Sequence, residues 1–148
     1  MRFDVLDQLS AQQTLSGSTA QVSDNSKKKP AAQDLGIGCE EMGVAFFIDQ
    51  GDLGGSGTDL TLEIIQATDG NLTTGVEQLA AVTIPKAELK DGSVFFLHLP
   101  AYKMDTEYFG ARYTPVGGTI TGKINAYYGS RNDVAKFKSF ATPYEVKN

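Results

Sequence analysis

The chain has 148 residues, 18 of them acidic and 13 basic, for a net charge of −5. That balance argues against a general nucleic-acid binder, because phosphate contacts are made by clustered Lys and Arg. The single cysteine, Cys39, excludes an intrachain disulfide, and the length suits one domain that builds its own core without a metal staple.

Residues 1–35 are rich in Gln, Ser, Thr, Ala and Lys. Their large apolar side chains are sparse (Phe3, Val5, Leu6, Leu9, Leu15 and Val22) and follow no sustained period. The expectation is an extended N-terminal arm carrying short strands near residues 12–16 and 19–23. Asp4 and Asp7 interrupt the apolar stretch that a secretory peptide needs, so no export signal is read, and folding in a reducing cytoplasm is expected. Lys27, Lys28 and Lys29 form the one dense basic run. Among Ser, Asn and Pro it reads as a solvated loop, or alternatively as a contact for an acidic protein surface.

From residue 36 to 130 the pattern is that of a β-sandwich domain. Met42, Val44, Phe46 and Ile48 share one strand face, and the apolar run over 44–48 is far too short to cross a membrane. A Gly- and Asp-rich loop (49–57) follows. Leu60, Leu62 and Ile64 then alternate with Thr61 and Glu63, "TDGN" (68–71) turns the chain, and a strand over 78–84 stops at Pro85. Residues 85–93 have room for one helical turn before a reversal at Asp91-Gly92.

Three strands in series are expected next. Phe95, Leu97 and Leu99 oppose Val94, Phe96 and His98; "TEYFGARYTP" (106–115) follows; Ile120, Ile124, Ala126 and Tyr128 then oppose Thr121, Lys123, Asn125 and Tyr127. Gly110 and Gly122 are expected to mark bulges or places where a partner's backbone or aromatic ring comes close. Residues 131–148 read as a C-terminal tail. About eight short strands with no crossover helix between them make an antiparallel all-β sandwich.

No chemistry is legible. Cys39 and His98 lack the surroundings of a nucleophile and its base. Adjacent Glu40 and Glu41 would point to opposite strand faces, which does not suit an acid and base acting on one substrate. Asp49, Asp52 and Asp59 lack the ligand spacing of a calcium loop, and "GGSGTD" (54–59) lacks the Lys of a phosphate loop. The expectation is no catalytic residue, no metal and no cofactor.

A resemblance carries the functional expectation. The succession "FDVLDQLSAQQTLSGSTAQVSDN" (3–25), "DLGIG" (34–38), a Gly-rich loop before "TLEIIQATDG" (61–70), "IPKAEL" (84–89) and "TEYFGARYTPVGGTITGKINAYYG" (106–129) is similar to the capsid cement, or decoration, proteins of short-tailed bacteriophages. Its strongest piece, 107–122, reads as an aromatic strand running into a "GGT" hairpin and a return strand. The chain departs from the family pattern at "SKKKPAAQ" (26–33) and at Cys39-Glu40-Glu41.

The resemblance implies a jelly-roll β-sandwich with an extended N-terminal arm. Its implied role is structural: a virion protein, not an enzyme, outside the capsid shell, binding the major capsid protein and tying neighbouring capsomers together as a two-fold homodimer. Assembly would take place in the host cytoplasm, with no nucleic-acid or membrane partner. Phe3, Val5 and Leu6 in the arm, Lys27, Lys28 and Lys29, and Phe137, Phe140 and Tyr144 in the tail are the expected partner contacts. They are anchors in polar stretches that gain little by packing on their own domain. Two other readings stay open: both ends could instead pack along the sandwich edges, and the module could bind carbohydrate.

Overall fold

The computed structural model, which describes residues 8–28, 42–100 and 103–131, has nine strands among them, the long ones from residue 42 on following period-two apolar alternation. They are β1 (Gln8–Leu15), β2 (Gln21–Val22), β3 (Lys27–Lys28), β4 (Met42–Phe47), β5 (Asp59–Ala67), β6 (Glu77–Pro85), β7 (Val94–His98), β8 (Tyr108–Val116) and β9 (Gly122–Ser130). A 3-10 turn, Lys86–Glu88, follows Pro85. The first sheet has the order β1-β9-β4-β7 and the second β2-β8-β5-β6, with β3 also on β8. Every pairing is antiparallel. This strand order, with β3 as an addition, is that of an eight-stranded jelly roll.

The core lies between the sheets. Val44, Phe46 and Ile48, Ile124, Ala126 and Tyr128 face Leu60, Leu62 and Ile64, Phe109, Ala111 and Tyr113. Edge-to-face ring pairs link the layers: Phe46 with Tyr113 (6.0 Å between centroids) and Phe109 with Tyr128 (5.2 Å). The three C-terminal strands are not neighbours, however. β7 pairs with β4, β8 with β5, β2 and β3, and β9 with β1 and β4. The expected "GGT" hairpin is therefore a crossing between sheets, made by Gly117 and Gly118 at positive φ. Alternation dictates which face of a strand is buried; it does not dictate which strand lies beside it.

Residues 8–28, read from the sequence as arm, are woven into both sheets. β1 lines β9, and β2 and β3 line β8. Leu9 and Leu15 belong to the core. The missing period has a physical cause: β1 breaks register twice, between Gln8 and Ser10 and between Ser10 and Gln13, and Gln12 sits at φ +46°. Those breaks turn two polar side chains inward. Ser10 Oγ donates to Gln13 Oε1 (2.6 Å) and meets the Tyr113 hydroxyl (2.8 Å), while Gln13 Nε2 donates to the Val22 carbonyl (2.7 Å). Burial pushes the Tyr113 phenol well above its ordinary pKa, and this cluster gives its hydroxyl a partner. Lys27 and Lys28, expected in a loop, form the short strand β3. Phe3, Val5, Leu6, Lys29, Phe137, Phe140 and Tyr144 lie outside the described residues, as do Cys39, Glu40 and Glu41.

One end of the second sheet's outer face is covered by the chain itself. Ile65, Ala67 and Leu72 form a small buried cluster there, flanked by Val22, Val76 and Tyr108. Leu72 belongs to the β5–β6 connection and has φ +58°, unusual for a leucine. Asp69 organises that loop: its carboxylate accepts from the Thr73 hydroxyl (2.6 Å) and from the Thr73 and Thr74 N–H groups (both 2.9 Å), bonds that hold its pKa down to about 2. Gly110 is the notch that receives Leu72; a Cβ there would stand 2.5 Å from Leu72 Cδ1 and 2.9 Å from Ser23 Oγ. The close approach expected at Gly110 is thus made by this chain's own leucine. At Gly122, at φ +131°, it is made by Leu53.

Gly110→Ala is expected to destabilise the fold by about 1–3 kcal/mol through overpacking. In a Leu72→Ala background most of that loss should vanish, so a denaturant-unfolding double-mutant cycle should be strongly non-additive. Additivity would mean that Leu72 does not fill the notch.

Beside this cluster, Glu63 is almost fully buried and takes a forked ion pair from Arg112 (3.0 Å from Nε, 2.7 Å from Nη2) plus the Thr114 hydroxyl. Burial raises the carboxyl's pKa, but the Arg112 and Thr114 hydrogen bonds and the Arg112 charge together outweigh it, leaving Glu63 below its ordinary 4.5. A depressed folded-state value makes the stabilisation complete above pH 4.5 and lost as pH falls through the folded value. Glu63→Gln should cost about 2 kcal/mol at neutral pH. Its stability should also fall less steeply than the wild type's on acidification below the ordinary glutamate range; equal acid slopes in urea titrations would refute the pair's contribution.

Candidate interaction surfaces

The first sheet turns a different chemistry outward. Val94, Phe96 and His98 of β7, Gly43, Ala45 and Phe47 of β4, and Asn125, Tyr127 and Gly129 of β9 share its outer face by register. Ala45 sits between Phe96 and Tyr127, and Gly43 between His98 and Gly129, so the small residues of β4 are buried beneath the neighbouring rings. Phe47 and Tyr127 meet edge-to-face at 5.7 Å. The Phe96 ring lies across Gly43, where a Cβ would meet it at 2.7 Å and would also strike the Leu97 carbonyl. Arg131 stacks over Phe96 at 5.8 Å.

Polar groups rim this aromatic cluster. Gln8 Nε2 donates to the Tyr127 hydroxyl (2.9 Å), and Asn125 Nδ2 donates to Asp49 Oδ1 (2.8 Å). Burial and the Asp49 charge raise the Tyr127 pKa against the opposing Gln8 bond, so the phenol is neutral at physiological pH and serves as a hydrogen-bonding tip on an apolar ring. Aromatic side chains with Arg and His at the margin are the composition of protein-contact surfaces. The face assignment of Val94, Phe96 and His98 was legible in the sequence; their packing over Gly43 and Ala45 was not, because it needs strands that only the topology brings alongside.

Lys27 and Lys28 do not form a joint basic patch. Adjacent strand residues point to opposite faces. Lys27 Nζ lies 5.4 Å from the centre of the Tyr128 ring, on the core side, and Lys28 Nζ 6.0 Å from that of Tyr108, on the outer side.

The carboxylates of the glycine-rich loop also go separate ways. Asp49 is bonded to Asn125; Asp52 accepts from the Asp91 N–H (2.8 Å) and pairs with Lys90 (3.4 Å); and Asp59 accepts from Thr58 (3.4 Å). Among the described residues no group of three His, Cys, Asp or Glu stands close enough to hold a metal ion, and no helix is long and apolar enough to cross a membrane.

No protein-family model and no curated protein matches the chain. Among solved structures it is similar to one titled "Crystal structure of PirA", with 14% identity over 79% of this chain and 92% of that one and a TM-score of 0.43.

Proposed function

We propose that this protein is a structural capsid cement protein, acting without catalysis or cofactor on the outside of a phage shell and bridging neighbouring copies of the major capsid protein. The observation that supports the reading is the aromatic character of the first sheet's outer face, where Phe96 and Tyr127 stay part-exposed and His98 is exposed. The second sheet carries its own Leu72 loop at one end and the Glu63–Arg112 pair beside it. The first carries Phe96, Tyr127, His98 and Arg131 over the buried Gly43, Ala45 and Phe47. A rigid sheet face suits a cement protein, which needs contact area of the order of ~800 Å² per partner rather than a pocket. The sequence resemblance supplies the identity of the partner.

The test is co-sedimentation of the full chain with empty shells assembled from the major capsid protein. Tyr127→Ala should weaken binding about 30-fold, the loss expected of a ~2 kcal/mol hot spot, while Lys28→Ala leaves occupancy unchanged. Failure of the wild-type chain to sediment with shells would overturn the proposal. Specific glycan binding that is lost in Tyr127→Ala would replace it with the carbohydrate-binding alternative.

A further inference from the structure

The first break in β1 decides which side chain stands beside Tyr127. Counted back from the Ser10–Ala126 pair, an unbroken antiparallel ladder would set Leu9 opposite Tyr127 and Gln8 opposite Tyr128. Leu9 would then lie on the outer face and Gln8 on the core side, because successive residues of β9 face opposite ways and Ala126 and Tyr128 belong to the core. The observed pair is Gln8 with Tyr127. The extra residue between the two pairs sends Leu9 into the core, 1% exposed, and turns Gln8 outward. Re-aiming a side chain in this way is a recurrent use of β-bulges.

The re-aimed amide is held at two points. Gln8 Nε2 donates to the Tyr127 hydroxyl (2.9 Å) and to the Ser10 carbonyl (3.3 Å), so one amide ties the tyrosine tip to the β1 backbone. Ser10 is fixed from the inside in turn, where its hydroxyl donates to Gln13 and meets the hydroxyl of Tyr113 (2.8 Å). Contacts thus connect Tyr113, fully buried between the sheets, through Ser10 and Gln8 to Tyr127, part-exposed on the outer face. The Tyr127 ring also packs edge-to-face with Phe47, so the side chain is located at both its ring and its tip.

We propose that Gln8 is a positioning residue of the contact face: it acts through Tyr127, holding the phenol before docking in the place from which the ring meets the partner. The inference rests on the capsid-binding reading of this face and adds to it the residue that prepares the surface. A tyrosine at an interface brings a large ring with few torsions, and its contribution is reduced by whatever ordering the docking step must still supply. A phenol tied at its tip in the free chain has that ordering done in advance. The bulge that keeps Leu9 in the core is therefore also what readies the outer face.

The test pairs shell binding with a property of the free chain. Gln8→Met keeps the length of the side chain and removes the donor; it should weaken co-sedimentation of the full chain with empty capsid shells about fivefold, the worth of one hydrogen bond. In a Tyr127→Phe background, where there is no hydroxyl to hold, the same change should cost nothing further. The Tyr127 phenol of the unbound chain, followed by NMR of ring-labelled tyrosine and assigned by its absence in Tyr127→Phe, should titrate at higher pH in Gln8→Met, because the Gln8 N–H favours the phenolate. A wild-type chain that does not sediment with shells overturns the capsid reading and this inference with it. Wild-type binding matched by Gln8→Met, an equal loss in both backgrounds, or an unmoved phenol titration overturns this inference alone. Should Gln8→Met fail to fold, Gln8→Glu keeps the shape and exchanges the donor for an acceptor; it should raise the phenol's titration likewise, and an unchanged value there overturns the inference.

Discussion

The constraint on which the sandwich depends is a polar bridge through its core. Ser10 and Gln13 come from the first sheet, Tyr113 and the Val22 carbonyl from the second; Ser10 bonds Tyr113 and Gln13 bonds Val22 across the gap, and Ser10 and Gln13 bond each other within β1. A buried hydroxyl or amide without a partner costs several times what a satisfied one contributes, so this set is right in one register of β1 only. The two breaks in β1 follow from it. They are the local distortion that lets Ser10 and Gln13 turn inward while Leu9 and Leu15 stay in the core. Hydrophobic burial supplies most of the drive for the two layers to meet, and the polar bridge specifies how they meet.

This division explains what the sequence could and could not reveal. Strand faces were legible wherever alternation was clean: Val44, Phe46 and Ile48, Leu60, Leu62 and Ile64, and Ile124, Ala126 and Tyr128 all point inward as their period implies. β1 was legible only in its second half, as the short strand expected near 12–16, because a distorted strand with inward polar residues has the composition of a loop. β3 was hidden because Lys is a poor strand former that here gains a ladder and a tyrosine ring beneath each ammonium. Apart from the β5–β6 hairpin, neighbour relations were illegible, since pairing between strands far apart in the chain leaves no local trace.

The candidate surface divides the same way. That Phe96 and His98 share the outer side of β7 is a matter of parity. That they border Gly43 and Ala45, with Tyr127 beyond, requires β4 to lie between β7 and β9, a fact of topology. The arm shows the interplay most clearly: Leu9 was expected beside Phe3, Val5 and Leu6 as one more isolated apolar residue, yet it is enclosed in the core of its own domain. A position in a polar stretch does not decide whether a side chain serves this domain or another.

The pairing of β1 with β9 has a consequence for how the protein is made. Gln8 aligns with Tyr127 and Leu15 with Gly122, so the first described strand waits for the last. While the ribosome is still adding β9, β1 and β4 have no common neighbour, and the first sheet cannot close. The second sheet is less dependent on the end of the chain, because β5 and β6 form a hairpin and β8 joins them before β9 emerges. Synthesis is therefore expected to pass through a stage in which a half-built sandwich carries uncovered leucines, and closure of so non-local a topology is slow. An abundantly expressed chain of this design depends on the interval between the emergence of β8 and the release of β9 being short, or on a chaperone that shields the exposed layer during it.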